Sequence, residues 1–437
     1  MTRRPQKARM TRPARSVLVE IEKPIYGGAF LARVEGKATF VPLTLPGENA
    51  RVRIVEDKRG YAVGEPEEIL RSAANRIAPG CKHFGVCGGC QYQHTDYETQ
   101  LAFKQAILRE TLGRGGVTAP ETIAVLSGNP WQYRNRIRLA FEGAGRIGYR
   151  ARRSHDLVPI SECPIAAPRL VEGALKVAEI LRERKTNLNP AEISLFCNAE
   201  GTELLASISV RDSATRGLDG LFEEWKQGVP ALAGVELVNE GRAGQASKVI
   251  ARTDATSINY RVNGIDYRVD HGSFFQVNRW IVDDLLDCVT GDRSGELAWD
   301  LFAGVGLFAR GLAKAFGQVV AVESAPASMT ALAHNLEGTG GRSVTAETLA
   351  FLRSQSGKAK PDLIVVDPPR AGLGAETTSL LASIGPPTIV YVSCDPATLA
   401  RDLFALIGSG YALSSVTLAD LFPQTFHLES VVELRRS

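Results

Sequence analysis

The sequence predicts a multidomain chain with a small N-terminal β-barrel, a central α+β domain and a C-terminal α/β domain of Rossmann-like type. Short apolar strands separated by glycine and proline turns fill residues 15–71, which is typical of a small OB-like barrel. Strands and helices are mixed over 72–265. From 266 to 437 they alternate, which is the pattern of a doubly wound parallel sheet. A chain of 437 residues is long enough to bury three such cores.

The composition is that of an ordinary globular protein, with 44% hydrophobic and 23% charged residues. The net charge is only +3, so any surface for a polyanion must be a local patch. Residues 1–14 form one such patch, and we expect a flexible basic arm there, although a solubilising tail stays open. No secretion signal and no run of about 18 apolar residues is present, so we expect a cytoplasmic protein without a membrane span. The basic residues at this end are Arg3, Arg4, Lys7, Arg9, Arg12 and Arg15.

The N-terminal domain is predicted from four short strands at 17–21, 29–34, 38–41 and 50–55. Glycine and proline separate them, as in the turn Tyr26-Gly27-Gly28. Small barrels of this kind often bind oligonucleotides. A purely structural role is the alternative, because a fold alone does not establish a function.

The central domain begins with a cysteine-rich loop at 80–94 and a helix predicted over 97–112, which can pack on the C-terminal domain. Further along, the tract 131–138 interleaves aromatic and basic residues. Arginines can bind phosphates and aromatic rings can stack on unpaired bases, so the tract is a candidate RNA surface. The alternative is a basic strand face that pairs with neighbouring acids. The arginines of the tract are Arg134, Arg136 and Arg138.

Seven cysteines occur in a chain without a secretion signal, so metal binding or catalysis is expected rather than disulfides. Four of them are candidate metal ligands. Three lie close together in one loop, and the fourth lies further along the chain, directly before a proline: Cys81, Cys87, Cys90 and Cys163. Four thiolates suit tetrahedral zinc or an iron–sulfur cluster equally well, and His83 and His94 flank the loop as further zinc ligands. Cys197 and Cys288 have no such partners and are expected to be core thiols.

The C-terminal domain opens with a strand at 297–301, a glycine-rich turn and a helix from 307. Gly304 and Gly306 let the backbone approach a ligand that the helix N-terminus also faces. A second strand ends in Glu323, 23 positions after Asp300, close to the spacing used to bind ribose hydroxyls. A nicotinamide-binding unit stays open, but the D-x-F-x-G-x-G turn resembles the first motif of S-adenosylmethionine-dependent methyltransferases.

Two later strands end in residues that can carry chemistry. The strand 363–366 ends in Asp367-Pro368-Pro369-Arg370. Base methyltransferases that act on amino groups carry an aromatic residue where Arg370 stands, so methylation of an amino group is not expected.

The strand 388–392 leads to Cys394, a candidate nucleophile. Carbon 5 of a pyrimidine becomes nucleophilic once a thiolate adds to carbon 6. Glu429, flanked by apolar residues, is a candidate base for the carbon-5 proton. A core thiol and an ordinary strand-end carboxylate are the alternatives.

Five motifs, in the same order along the C-terminal domain, resemble those of the RNA 5-methyluridine (uracil-C5) methyltransferase family. The N-terminal barrel resembles the RNA-binding TRAM domain of the same family, so the likeness covers nearly the whole chain. The motifs are Ser273-Phe274-Phe275-Gln276-Val277-Asn278, Asp300 to Gly306, Asp367-Pro368-Pro369-Arg370-Ala371-Gly372, Ser393-Cys394-Asp395-Pro396 and His427-Leu428-Glu429-Ser430.

The resemblance implies that Cys394 is the nucleophile and Glu429 the base that removes the carbon-5 proton. Two departures from the family pattern are expected to affect only the affinity for the cofactor: Leu307 replaces a polar contact, and the region of Thr348 lacks the usual Asn or Asp. The positions implied to bind S-adenosylmethionine are Gln276, Phe302, Glu323 and Asp367, with Gly304 and Gly306 of the turn.

The resemblance also implies a [4Fe–4S] cluster on Cys81, Cys87, Cys90 and Cys163, as in the ribosomal-RNA members of the family, with a structural or RNA-orienting role. The expected substrate is then a loop or locally opened uridine of 23S rRNA, flipped out of its stack. There are two alternatives. The protein could carry out the same reaction on transfer RNA, or it could be an RNA-binding or RNA-remodelling protein whose methyltransferase domain is inactive. Nothing in the sequence requires more than a monomer.

Overall fold

The computed structural model describes residues 15–143, 145–184, 188–211, 218–239 and 248–437. The predicted basic arm, residues 1–14, lies outside these ranges. The described strands form one closed barrel and three sheets. Within these ranges, no helix is long and apolar enough to cross a membrane.

The predicted N-terminal barrel is confirmed. Strand β1 pairs with β2 and with β4, which closes the barrel in the order β1-β2-β3-β5-β4. Phe30, Val41 and Val52 fill its interior, and Tyr92 and Phe103 pack against them from the following segment. The barrel strands are β1 (Ser16–Pro24), β2 (Ala29–Val34), β3 (Lys37–Pro42), β4 (Asn49–Asp57) and β5 (Ala62–Arg71).

Helix α1 (Tyr97–Arg114) and the short strand β6 (Ala124–Leu126) follow the cysteine-rich loop. The helix begins where the Asp96 side chain accepts a hydrogen bond from the Thr99 backbone N–H at 2.8 Å, an N-cap that satisfies one of the free amide groups. It ends before Gly115.

The central domain is built on a seven-stranded sheet in the order β13-β12-β11-β10-β7-β8-β9. Two helices pack on it, and Trp225 is fully buried in the core that they share with the sheet. The elements are β7 (Arg136–Glu142), β8 (Arg146–Arg150), β9 (Leu157–Pro159), α2 (Pro168–Arg184), β10 (Pro190–Cys197), β11 (Leu204–Val210), α3 (Leu218–Gly228), β12 (Leu232–Asn239) and β13 (Lys248–Arg252).

A two-stranded hairpin of β14 (Ser257–Val262) and β15 (Ile265–Asp270) connects to the C-terminal domain. That domain contains an eight-stranded sheet in the order β18-β17-β16-β19-β20-β22-β21-β6. Its remaining elements are α4 (Val282–Thr290), β16 (Gly295–Leu301), α5 (Leu307–Leu312), β17 (Phe316–Glu323), α6 (Pro326–Leu336), β18 (Gly341–Thr345), α7 (Thr348–Gln355), β19 (Leu363–Val366), α8 (Gly374–Ile384), β20 (Thr388–Ser393), α9 (Pro396–Ile407), β21 (Tyr411–Ala419) and β22 (Glu429–Arg436).

The five strands from β18 to β20 are parallel, as the alternating pattern predicts. Beside them, β22 is antiparallel to both of its neighbours, β20 and β21, so β21 runs in the same direction as the five parallel strands. Side chains at the carboxyl ends of parallel strands meet at one edge of the sheet, where such folds bind ligands. The candidate residues that follow β16, β17, β19 and β20 therefore converge on that edge.

Two elements that precede residue 266 pack with the C-terminal domain. Helix α1 packs on α9, and its Ile107 and Leu108 belong to the C-terminal core. Strand β6 is the last strand of the C-terminal sheet, paired in parallel with β21. The predicted division at 265/266 itself falls in the β14–β15 hairpin, where Val262 pairs with Ile265. Because β6 pairs with a strand almost 300 residues later in the chain, no local sequence pattern could show that it belongs to the C-terminal sheet.

Candidate active site

The glycine-rich turn after β16 is held in a conformation that glycine favours. Gly304 and Gly306 have φ angles of 56° and 88°, in the left-handed region. A Cβ atom on Gly306 would lie 2.7 Å from Leu332 Cδ1, so a larger residue would require that side chain to shift and would be strained by the positive φ. Phe302 adopts φ 66° without being glycine, a strained conformation of the kind that clusters at ligand sites.

Two carboxylates flank this turn. Glu323 accepts hydrogen bonds from the backbone N–H of Gly304 at 2.8 Å and of Ser324 and Ala325 at 2.7 Å, so its position at the end of β17 is fixed. Asp300 accepts from Ala309 N–H at 2.8 Å. Burial raises the pKa of Asp300 to about 8, with Asp367 and Glu323 adding to the shift. Asp300 Oδ1 is buried and has no protein partner among the described residues.

Gln276 and Asp367 lie together although they are 91 residues apart in the chain. Gln276 Nε2 donates to Asp367 Oδ2 at 3.2 Å, and the Gln276 carbonyl accepts from Asn135 Nδ2 at 2.8 Å. Burial raises the pKa of Asp367 to about 7, and the Gln276 hydrogen bond opposes that shift. An amide, a carboxylate and a glycine turn at one sheet edge offer the donors, acceptors and close backbone approach that an adenosyl amino acid needs.

Cys394 and Glu429 come from neighbouring antiparallel strands. Ser393 of β20 lies opposite Ser430 of β22, so Cys394 and Glu429 continue that register at the end of the sheet. Burial, with Glu429 and Asp367 adding, raises the pKa of the Cys394 thiol to about 11. Burial and Asp367 also raise the pKa of Glu429 well above its usual range.

Arg370 is the cation that opposes these shifts, because it lowers the pKa of both the thiol and the Glu429 carboxyl. It donates to His427 Nδ1 across 3.1 Å. Burial, with Arg370 and Arg134 adding, lowers the pKa of His427 to about 4, so the imidazole is neutral near pH 7 and its Nδ1 can accept. The arrangement thus pairs a thiol with a basic carboxylate and a cation that stabilises the thiolate.

The barrel contributes a residue that the sequence analysis did not predict. Tyr26 lies in the turn between β1 and β2, and its hydroxyl is 3.4 Å from Asp395 Oδ2 and 3.5 Å from the Cys394 carbonyl. Its ring meets Phe426 edge to face, with centroids 5.7 Å apart. Tyr26 and Cys394 are 368 residues apart in the chain. No residue pattern local to Tyr26 indicates the contact.

The four clustered cysteines line one cavity of about 240 Å³ together with Arg134, His427 and His83. Tyr149 donates to Cys163 Sγ across 3.6 Å, and Gly89 N–H donates to Cys87 Sγ at 3.4 Å. Four thiols are, by their chemistry alone, a ligand set of either zinc or an iron–sulfur cluster. Within the described ranges, no three His, Cys, Asp or Glu side chains are grouped tightly enough to hold a single metal ion. The lining cysteines are Cys81, Cys87, Cys90 and Cys163.

The other predicted metal and thiol residues lie apart from this cavity. His94 is buried, with Nε2 3.0 Å from the Thr44 carbonyl. Cys197 is fully buried in the core of the central domain, and Cys288 packs against the core of the C-terminal domain.

The predicted arginine tract does not form one open surface. Arg134 faces the cysteine cavity, and the Arg136 guanidinium lies 4.7 Å over the Phe196 ring. Arg138 is exposed, and its Nε is 2.7 Å from Glu192 Oε1. Direct RNA contact by the three arginines stays a prediction.

The two departures from the family pattern are both buried. Leu307 begins α5 inside the core, and Thr348 begins α7 with 6% of its surface exposed.

Comparisons with known proteins agree with this arrangement. The family described as tRNA (Uracil-5-)-methyltransferase matches residues 219–437, and the TRAM domain matches residues 10–66. The chain is 32% identical to the 23S rRNA (uracil(1939)-C(5))-methyltransferase of Shewanella frigidimarina, over 93% of this chain and 92% of the relative. It is also 32% identical to the protein of the same name from Chromohalobacter salexigens, over 96% and 89%.

Among solved structures, the Pyrococcus abyssi tRNA (uracil-54, C5)-methyltransferase in complex with S-adenosyl-L-homocysteine superposes with a TM-score of 0.77. It is 25% identical, and the match covers 96% of this chain and 100% of that chain. The shared fold over nearly the whole chain, with the identity to the curated relatives, decides the family. The chain belongs to the S-adenosylmethionine-dependent RNA (uracil-C5)-methyltransferases.

Proposed function

We propose that the protein methylates carbon 5 of a uridine in 23S rRNA, with Cys394 as nucleophile and Glu429 as base. The observation that carries this proposal is the placement of Cys394 and Glu429 side by side at the ends of β20 and β22, at the edge of the sheet that also holds Gln276 and Asp367. We further propose that it acts as a monomer in the cytoplasm.

The reaction uses this chain's residues in two roles. The Cys394 thiolate adds to carbon 6 of the uracil, which forms an S–C6 bond and makes carbon 5 an enolate-like nucleophile. S-adenosylmethionine, when bound, supplies an electrophilic methyl group for carbon 5. The Glu429 carboxylate then takes the carbon-5 proton, the S–C6 bond breaks, and the thiolate is regenerated. Arg370 partly offsets the rise in the pKa of Cys394 that burial causes, since its positive charge stabilises the thiolate.

Ribosomal RNA is the favoured substrate class because the relatives from Shewanella frigidimarina and Chromohalobacter salexigens, each 32% identical to this chain, are named 23S rRNA methyltransferases. Transfer RNA is the second candidate, supported by the Pyrococcus abyssi structure, whose name gives a transfer-RNA substrate. In either RNA the uridine must leave its stack to reach a half-buried thiol.

The proposal is tested by trapping on RNA that contains 5-fluorouridine. Fluorine on carbon 5 cannot leave as a proton, so the S–C6 bond should persist after methyl transfer. Fragments of 23S rRNA and, separately, transfer RNA are incubated with the protein and S-adenosylmethionine and run on a denaturing gel. We expect a shifted band with the ribosomal fragment and none with Cys394→Ala. A band with transfer RNA alone would favour the second candidate, and tight binding of both RNAs without any band would contradict the catalytic proposal.

We also propose that Cys81, Cys87, Cys90 and Cys163 hold a [4Fe–4S] cluster. A cavity of about 240 Å³ leaves room for a cluster of several atoms rather than a single ion. The thiolates of such a cluster bind different irons and need not converge on one point. When bound, the cluster would cross-link the loop after β5 to the segment between β9 and α2.

Protein purified without oxygen is accordingly expected to be brown and to contain iron and acid-labile sulfide. Cys90→Ser is expected to lose most of the iron, because it removes one thiolate from the set of four, whereas Cys288→Ser should keep it because Cys288 lies in another core. The measurement is iron and sulfide analysis with the visible spectrum. A colourless wild-type protein with one zinc per chain would refute the cluster.

A further inference from the structure

The chain between β21 and β22 reaches Glu429 through a buried loop, residues 420–428. Gln424, in the middle of this loop, has φ 68°, a left-handed conformation that is uncommon for residues other than glycine. Its side chain is buried, with 2% of the residue exposed. A strained backbone at one point needs surrounding contacts that hold it in place.

Helix α1 supplies two of those contacts through a single side chain. Gln100 Oε1 accepts a hydrogen bond from the Gln424 backbone N–H at 2.9 Å, and Gln100 Nε2 donates to Gln424 Oε1 at 3.0 Å. Gln100 is itself 1% exposed, and Nε2 also donates to the Tyr92 and Thr95 carbonyls. Gln100 therefore binds both the backbone and the side chain of Gln424 inside the protein.

The cysteine-rich loop supplies the remaining contacts. The backbone N–H groups of Gln91 and Tyr92, directly after Cys90, donate to the Gln424 carbonyl at 2.9 and 3.0 Å. Gln91 Oε1 accepts from Phe426 N–H at 3.3 Å. The backbone N–H and carbonyl of Gln424, as well as its side-chain oxygen, are thus all bonded to the segment that runs from the cysteine loop into α1.

We propose that Gln100 and Gln424 are positioning residues that set the Glu429 carboxylate against Cys394 and tie its placement to the cysteine loop. This inference rests on the proposed function, in which Glu429 removes the carbon-5 proton. Gln424 lies shortly before Glu429 in the chain, and relaxation of its backbone from the left-handed region would shift the start of β22. A displacement of about 1 Å can slow a reaction step on the order of 10²-fold.

The test uses RNA tritiated at carbon 5 of uridine, because release of tritium reports the proton-removal step. Gln100→Leu is expected to slow release by roughly 10²-fold and to accumulate the methylated protein–RNA adduct on a denaturing gel. Both kcat and KM for RNA should fall while kcat/KM is retained, because the slowed step follows methyl transfer. Gln105→Leu is the matched control, since Gln105 lies on the same helix but donates to the Ile123 carbonyl. It should release tritium at the wild-type rate without adduct.

A second pair of variants tests the turn itself and does not depend on the folding of Gln100→Leu. Gln424→Gly loses the side-chain bond to Gln100 but keeps the backbone contacts and adopts a positive φ freely, so it should release tritium faster than Gln424→Val and accumulate less adduct. Gln424→Val places a β-branched residue in the left-handed region and should accumulate the adduct. Circular dichroism checks that each variant is folded.

Glu429→Gln separates failure of this inference from failure of the proposed function. If Glu429→Gln accumulates no adduct, the assignment of the base is wrong. If Glu429→Gln accumulates adduct while folded Gln100→Leu and Gln424→Val both turn over like the wild type, the positioning inference is wrong.

Discussion

Replacing Glu429 by glutamine is expected to stop the reaction after methyl transfer and to leave the RNA bound covalently to Cys394. Glutamine keeps the size of the side chain but cannot accept the carbon-5 proton. A positioned general base contributes about 10²–10⁴-fold, so tritium release should fall by a factor in that range. Burial and Asp367 raise the pKa of Glu429, which makes its carboxylate a stronger proton acceptor.

The pH dependence of tritium release tests the same residue in a second way. Only ionised Glu429 can accept a proton, and burial and Asp367 move its ionisation to a higher pH than that of an ordinary glutamate by raising its pKa. The negative charge of Glu429 also raises the pKa of Cys394, so the thiol ionises at a higher pH in the wild type than in Glu429→Gln. Both effects act in the same direction, and the ratio of the wild-type rate to the Glu429→Gln rate should increase as the pH rises. Glu433→Gln is the matched control, because Glu433 lies on the same strand but bonds to Arg293 and Arg435. Release by Glu429→Gln at the wild-type rate would remove Glu429 from the mechanism.

Replacing Lys104 by methionine is expected to destabilise the protein by about 3–5 kcal/mol, the usual loss when one partner of a buried ion pair is removed. Lys104 Nζ lies 2.6 Å from Asp420 Oδ1, and both side chains are fully buried. Lys104 also donates to the Phe422 carbonyl at 2.9 Å, and Tyr97 donates to Asp420 Oδ2 at 2.8 Å. Methionine would leave the Asp420 carboxylate buried beside the Tyr97 hydroxyl without a cation.

The loss is measured as the shift in guanidinium-induced unfolding followed by circular dichroism. Lys23→Met is the matched control, because Lys23 of β1 also pairs with an acid across a domain contact. Its Nζ lies 2.8 Å from Glu110 Oε1 on α1, but 42% and 32% of the two side chains are exposed. Exposed pairs contribute about 0–1 kcal/mol, so this variant should unfold close to the wild type. Equal shifts for the two variants would contradict a special role for the buried pair.

Much of the fold could be predicted because it depends on patterns within short segments. Alternating strands and turns indicate the barrel, and buried apolar strands such as β19 followed by helices indicate the parallel sheet. The cysteine set was also predictable from its spacing, and all four members line one cavity. Cys394 could be named because it follows a strand whose end lies at the edge where such sheets bind ligands, and Glu429 because apolar residues flank it. The family resemblance supplied the role of each.

Contacts between distant segments could not be predicted in the same way. Nothing around Tyr26 indicates that its hydroxyl reaches the Cys394–Asp395 loop, and β6 is too short to identify its pairing with β21. Arg134 is a candidate RNA contact in the sequence, yet the folded chain directs it to the cysteine cavity. Such contacts depend on how whole domains pack.

Strand period, turn residues and thiol spacing are local properties of the chain, and they were enough to predict the three kinds of domain, the glycine turn and the residues that can carry chemistry. The folded chain was needed to show that the barrel, α1 and the cysteine loop all contact the segment before Glu429. Buried polar groups need hydrogen-bond partners, and the local sequence does not indicate which distant residues those partners are. For Lys104 and Gln100 those partners lie 316 and 324 residues away in the chain.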